Sequence, residues 1–239
     1  MELEKSNSEV VMEKSSSSFA LKGIFEVFYD PTSLFKKIKE SPTILVPYVV
    51  LFAVSLIIGY FLSDIIMQMQ LDSPELQEQL KGQELPETAK SIMELMSVLG
   101  LGISMLLTPL CTAALALFFG NFVMGGKATF KTLFSAMIYC EVLYIIGNLF
   151  LVPMVLAKGD LTTGISLGFL VADQGIQSVA FTALSKISLF HLWEIIVAGI
   201  GLSVIYEFPR NKGYVLSVLS VGLLSILHIG AAALGAMFK

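Results

Sequence analysis

The residues best placed to do chemistry are two glutamates and two histidines set inside otherwise apolar runs. His191 and Glu194 lie in LFHLWEIIVAGIGLSVIY, Glu141 in YCEVLYIIGN, and His228 in SILHIG. His191, Glu194, Ala198, Gly201 and Ile205 recur at spacings of three and four, which places them on one helical face. Glu141, Tyr144 and Asn148 repeat that spacing. Hydrocarbon does not solvate a carboxylate, so these faces are expected to turn inward against other helices. Three readings suit them: neutral hydrogen-bonded carboxyls that only fix packing, proton or ion handling, or a site for an external ligand. With 1.5 Å of rise per residue and a ~30 Å core, Glu194 lies roughly 10 Å below the outer surface and His228 roughly 21 Å above the inner one. Those depths coincide. Glu141, Tyr144, Asn148, Glu194 and His228 are therefore expected to form an intramembrane polar cluster.

Other chemistries lack their residues. A metal centre would need His191, Glu194 and His228 together, with no further close pair of ligands to complete it. GGKAT resembles a phosphate-binding loop only superficially. The Walker pattern needs Gly where Asn121 stands and Ser or Thr where Ala128 stands. HExxH and GxSxG are absent. The expectation is a protein that is not an enzyme and carries no cofactor or metal.

The elements that must position these residues are membrane spans. Of 239 residues, 55% are hydrophobic and 14% charged, where a soluble domain carries about 25% charge. No basic patch points to nucleic acid. Cys111 and Cys140 lie in apolar runs and read as small buried hydrophobes rather than a disulfide.

Residues 1–18 are polar, lack an apolar signal core, and are expected to be disordered. Residues 19–42 form an amphipathic segment in which Leu21, Ile24, Phe25 and Phe28 share one face. Asp30-Pro31 reads as N-cap and first turn of a second short helix. There Leu34, Phe35 and Ile38 oppose Lys36, Lys37 and Lys39, a pattern suited to lying on a membrane surface. A helix packed on a neighbouring loop is the competing reading.

Residues 43–239 carry five runs long enough to cross hydrocarbon: Thr43–Leu62, Ile92–Val123, Thr132–Leu156, Ile187–Tyr206 and Tyr214–Phe238. The second is overlong, and Pro109 and Pro153 are candidate kinks. Gly164–Val171 is apolar but too short to span. Small or polar stripes are expected at Ser55 and Gly59; at Ser97, Ser104, Thr108 and Cys111; and at Ser225, His228, Ala232 and Gly235. The short loops MGGKATFK and EFPRNKG are basic, whereas 63–91 is acidic. The positive-inside rule then puts the N-terminus in the cytoplasm and the C-terminus outside. The fold class is an all-α, five-helix transmembrane bundle with an N-terminal amphipathic interfacial helix.

Four stretches in this order resemble the Yip family of Ypt/Rab-interacting membrane proteins: FYDPTSLFKKIKESP, GGKATFKTLFSAMIYCEVLYIIG, LFHLWEIIVAGIGLSVIY and NKGYVLSVLSV. They cover roughly residues 24–235. The resemblance implies five helices, a cytoplasmic N-terminus, and a homo-oligomer or membrane-protein partner. The DLYGP-type motif of the eukaryotic branch is absent, so the likeness is to the prokaryotic branch and carries no small-GTPase binding with it. The expectation is a non-enzymatic protein of a prokaryotic plasma membrane that acts by interaction or membrane organisation. The alternative is a small-solute or proton-coupled transporter or channel using Glu141, Glu194 and His228.

Overall fold

The computed structural model describes residues 19–81, 83–176 and 178–237. The expected disorder at 1–18 lies outside them. Every element among the described residues is helical, apart from one isolated antiparallel bridge between Ser166 and Ser188. In order these are α1 (residues 19–29), α2 (Pro31–Glu40), α3 (Leu45–Leu71), α4 (Pro74–Leu80), α5 (Glu87–Leu117), α6 (Phe130–Lys158), α7 (Val179–Ser185), α8 (Leu189–Tyr206), α9 (Arg210–Ser217) and α10 (Leu223–Met237). Two π-helical segments interrupt the series, Phe118–Val123 after α5 and Val218–Gly222 between α9 and α10.

Five stretches are long and apolar enough to cross a membrane: Leu45–Leu71, Glu87–Val123, Phe130–Lys158, Leu189–Tyr206 and Arg210–Gly235. The five expected spans are all there, but their ends differ. The first runs on to Leu71 through Ser63-Asp64, where the apolar run stops. Polar side chains hold the extension: Ser63 Oγ donates to Glu94 at 3.1 Å, and Gln70 Nε2 donates to Ser97 Oγ at 3.1 Å. The second span has 37 residues, about 55 Å of helix, far more than a ~30 Å core requires. Pro109 and Pro153 sit inside α5 and α6 without ending them. Gly164–Val171 forms no span; part of it joins a 3₁₀ helix, Leu167–Gln174, that packs on α7.

The chain divides into two compact units. One runs to Leu51 and includes Thr108–Tyr144 and Leu192–Leu224; the other holds Phe52–Leu107, Ile145–His191 and the chain from Ser225. In the second unit, α3 and α5 approach closely at small residues. Gly59 lies against Val98 and Leu101, and Gly102 against Phe52 and Leu56. Without water to drive helices together, such contacts carry the packing.

The stripes are partly re-aimed. Ser55 and Gly59 are buried as expected. On α5, however, Ser104 and Cys111 are exposed, and the buried face is Gly102, Met105, Pro109, Thr112, Ala113 and Ala116. Hydroxyls need no inward partner when their own helix supplies one. Thr112 Oγ1 donates to the Thr108 carbonyl at 2.8 Å and Ser97 Oγ to that of Met93 at 2.9 Å. Cys140 is buried as expected, but Cys111 is not.

Candidate functional site

Three structures in the first unit come before any function: a carboxylate-bearing helix core, a lysine-bearing helix, and a glycine-clamped corner.

The core is built on α8. Ser188 Oγ caps its start, accepting from the His191 amide at 3.2 Å. Glu194, Ala198, Gly201 and Ile205 are all buried, as is His191 in the second unit, so this face turns inward throughout. Close approach needs the missing side chains. A Cβ on Gly201 would meet three Phe35 ring atoms at 2.9 Å, and one on Gly213 would strike the Gly199 carbonyl and Ser203 backbone. Ser217 Oγ adds a hydrogen bond to the Ile195 carbonyl at 2.6 Å.

Glu194 is 4% exposed and Glu141 2%. Both carboxyls belong to the first unit, Glu141 next to the buried Cys140 on α6 and Glu194 on α8. A carboxyl taken out of water at such depth is stable only with hydrogen-bonding partners. Tyr144 is half-buried in the same unit. Asn148, also half-buried, and His228, exposed on α10, belong to the second unit. His191, on the face expected to turn inward, is buried and hydrogen-bonded through Nε2 to Ser225 Oγ at 2.9 Å. Among the described residues no group of three metal-ligating side chains converges.

The lysine-bearing helix is α2. Asp30 caps it, accepting from the Ser33 amide at 3.1 Å, and Pro31 fills the first turn. Leu34, Phe35 and Ile38 are fully buried in protein rather than turned outward to a membrane surface. Leu34 reaches Gly23 of α1, and Phe35 covers Gly201. Lys36, Lys37 and Lys39 point away from that core. Lys37 pairs with Glu26 and Lys39 with Glu207, while Arg210 Nη2 donates to Thr32 Oγ1 at 3.0 Å. The Lys39 ammonium, by hydrogen bond and then by charge, holds the Glu207 carboxyl below the usual carboxylate range. Lys36 is exposed and takes part in none of the ion pairs among the described residues.

The corner explains the glycine pair that mimics a phosphate loop. Gly125 has φ 72°, a left-handed conformation that glycine adopts without strain. Gly126 lies where a Cβ would run into the Tyr206 and Phe208 rings, which stack at 5.1 Å between centroids. Asn121 and Ala128, the two residues that break the Walker pattern, clamp the loop. Asn121 Nδ2 donates to the Ala128 carbonyl at 3.0 Å, and the Ala128 amide donates to Asn121 Oδ1 at 3.2 Å. Tyr206 then donates its hydroxyl to the Ala116 carbonyl at 3.0 Å, just before the π segment, and packs on Gly120 within it. A π segment has no composition signature of its own; the only sequence signal for this corner is the glycine pair beside a tyrosine and a phenylalanine.

Against known proteins, the chain matches the family profile of the Yip1 domain over residues 25–232. No curated protein matches it. No solved structure matches it.

Proposed function

Because the chain belongs to the Yip1 family and is an integral membrane protein, we propose that it acts without catalysis, by binding a membrane protein or organising the membrane at its cytoplasmic face. One observation carries this reading. The apolar face of α2 is buried in protein, so the helix is held rigidly while its lysines remain turned outward. A fixed row of cations on a folded support suits an acidic partner segment or anionic headgroups. The basic loops before α6 and after α8 support a cytoplasmic position for this face under the positive-inside rule, in a prokaryotic plasma membrane. The N-terminus is then inside and the C-terminus outside.

The test is photo-crosslinking in living cells from an amino acid with a benzophenone side chain placed at Lys36, with the same residue at the exposed span position Ile226 as control. The expected result is a discrete protein or lipid adduct from position 36 that position 226 does not give. Identical patterns from both positions, or none from 36, would remove the support for a specific surface.

A second reading has its own observation: Glu141 and Glu194 are both buried inside membrane-spanning helices of one unit. It makes the chain a proton-coupled transporter or channel. Proton flux in proteoliposomes, present in the native chain and abolished in Glu194→Gln, would favour it over the first. Equal, background flux in both would eliminate it.

A further inference from the structure

The segment 19–40 has two helices, and only one of them has apolar surface left to offer. On α1, Ala20, Ile24 and Val27 are buried at 8% exposure or less, while Leu21, Phe25 and Tyr29 are 48%, 69% and 77% exposed. The exposed three stand four residues apart, so they form one stripe along the helix.

The height of that stripe is fixed at both ends. The Tyr139 hydroxyl donates to the Ala20 carbonyl at 3.3 Å, and Tyr139 lies about 13 Å along α6 from its first residue. At the other end the Phe28 ring meets Trp193 edge-on, with centroids 5.5 Å apart, and Trp193 is within α8. Thus α1 lies alongside span residues, not beyond the ends of the spans. On α8, Leu192 and Ile196, close in sequence to Trp193, are exposed as well.

We propose that Leu21, Phe25 and Tyr29 insert into the acyl-chain region of the bilayer. The occupant is lipid. Two large apolar side chains and an aromatic ring suit that region. Lys22, exposed beside the stripe, has the reach to meet a headgroup phosphate. This inference does not depend on what the α2 lysines bind: α1 supplies the lipid anchor and α2 the cationic face.

The test uses the full chain carrying Cys111→Ala, Cys140→Ala and Phe25→Cys, labelled with a nitrobenzoxadiazole fluorophore. It is reconstituted in phosphatidylcholine/phosphatidylglycerol vesicles. Lipids brominated in the acyl chain should quench the label at least twofold more than aqueous iodide does. The same label at Lys36→Cys should show the reverse, with iodide dominant. Strong iodide quenching at position 25 would overturn the inference. So would quenching by neither agent, which would mean that protein covers the stripe, or disulfide capture between two unlabelled copies through the thiol introduced at position 25. Emission from Trp193, the only tryptophan, checks that α1 is docked; where Phe25→Cys fails that check, Leu21→Cys is labelled and read in the same way.

Discussion

At the scale of single residues, the first unit depends on places where a side chain is missing. Gly201 is one. Alanine there puts a Cβ 2.9 Å from three atoms of a fully buried Phe35 ring that has little room to retreat. Gly201→Ala should therefore cost about 1–3 kcal/mol, the usual penalty of overpacking. Thermal unfolding in detergent, followed by Trp193 emission, reads it; an unchanged midpoint would mean that α2 is not seated on α8. Tyr206→Phe removes the buried hydrogen bond to the Ala116 carbonyl, for about 0.5–1.5 kcal/mol in the same assay. Glu207 gives a pH signature. Its folded-state pKa is depressed by Lys39, so its contribution is present above the ordinary carboxylate range and is lost as pH falls through it. Glu207→Gln should unfold at a slightly lower temperature than the native chain near neutrality, and the gap should close below about pH 4. The pair is solvent-exposed, so the gap is small. A gap that widened on acidification would contradict the assignment. The inward face of α8 is legible in the sequence because Glu194 inside an apolar run admits one orientation. The fate of His228 is not: a histidine at a helical spacing has no such restriction, and it is exposed while His191 is buried.

Among the elements, what can be read from sequence is the existence of each span, since about twenty apolar residues in a row have few other uses. The ends are harder, because a helix that leaves the hydrocarbon continues for as long as a neighbour pairs with it. Ser63 and Gln70 carry α3 to Leu71 through Glu94 and Ser97, and both sides of each pair look like loop residues when read singly. Breaking both pairs with Glu94→Ala and Ser97→Ala should fray the last turns of α3 and leave its apolar part intact. Hydrogen exchange at residues 64–71 should rise at least tenfold, with protection at 50–58 unchanged. Equal protection throughout would show that α3 holds its length unaided. The face of α5 is also hidden from a polarity pattern, because Ser and Thr satisfy their hydroxyls on their own helix. Likewise α1 and α2 look alike as amphipathic helices, and only packing reveals that α2's apolar side belongs to protein.

For the whole molecule, five spans, membership of the Yip1 family and the buried carboxyls of α6 and α8 belong to an integral membrane protein. Composition and the ordered family stretches make that much legible, since a chain this apolar has one stable environment. In the function proposed above, the carboxyls are closed off from water and the lysine-bearing face of α2 does the work, not a path through the middle. Single cysteines at positions 141 and 194, in the Cys111→Ala/Cys140→Ala background, test it most directly. They are probed in intact cells and in inverted vesicles with a small charged thiol reagent, beside Lys36→Cys as an accessible control. The account predicts labelling of position 36 in inverted vesicles only, and no labelling of 141 or 194 from either side. Labelling of both 141 and 194 in folded protein would reveal a water-filled path to the carboxylates and contradict the account in favour of transport.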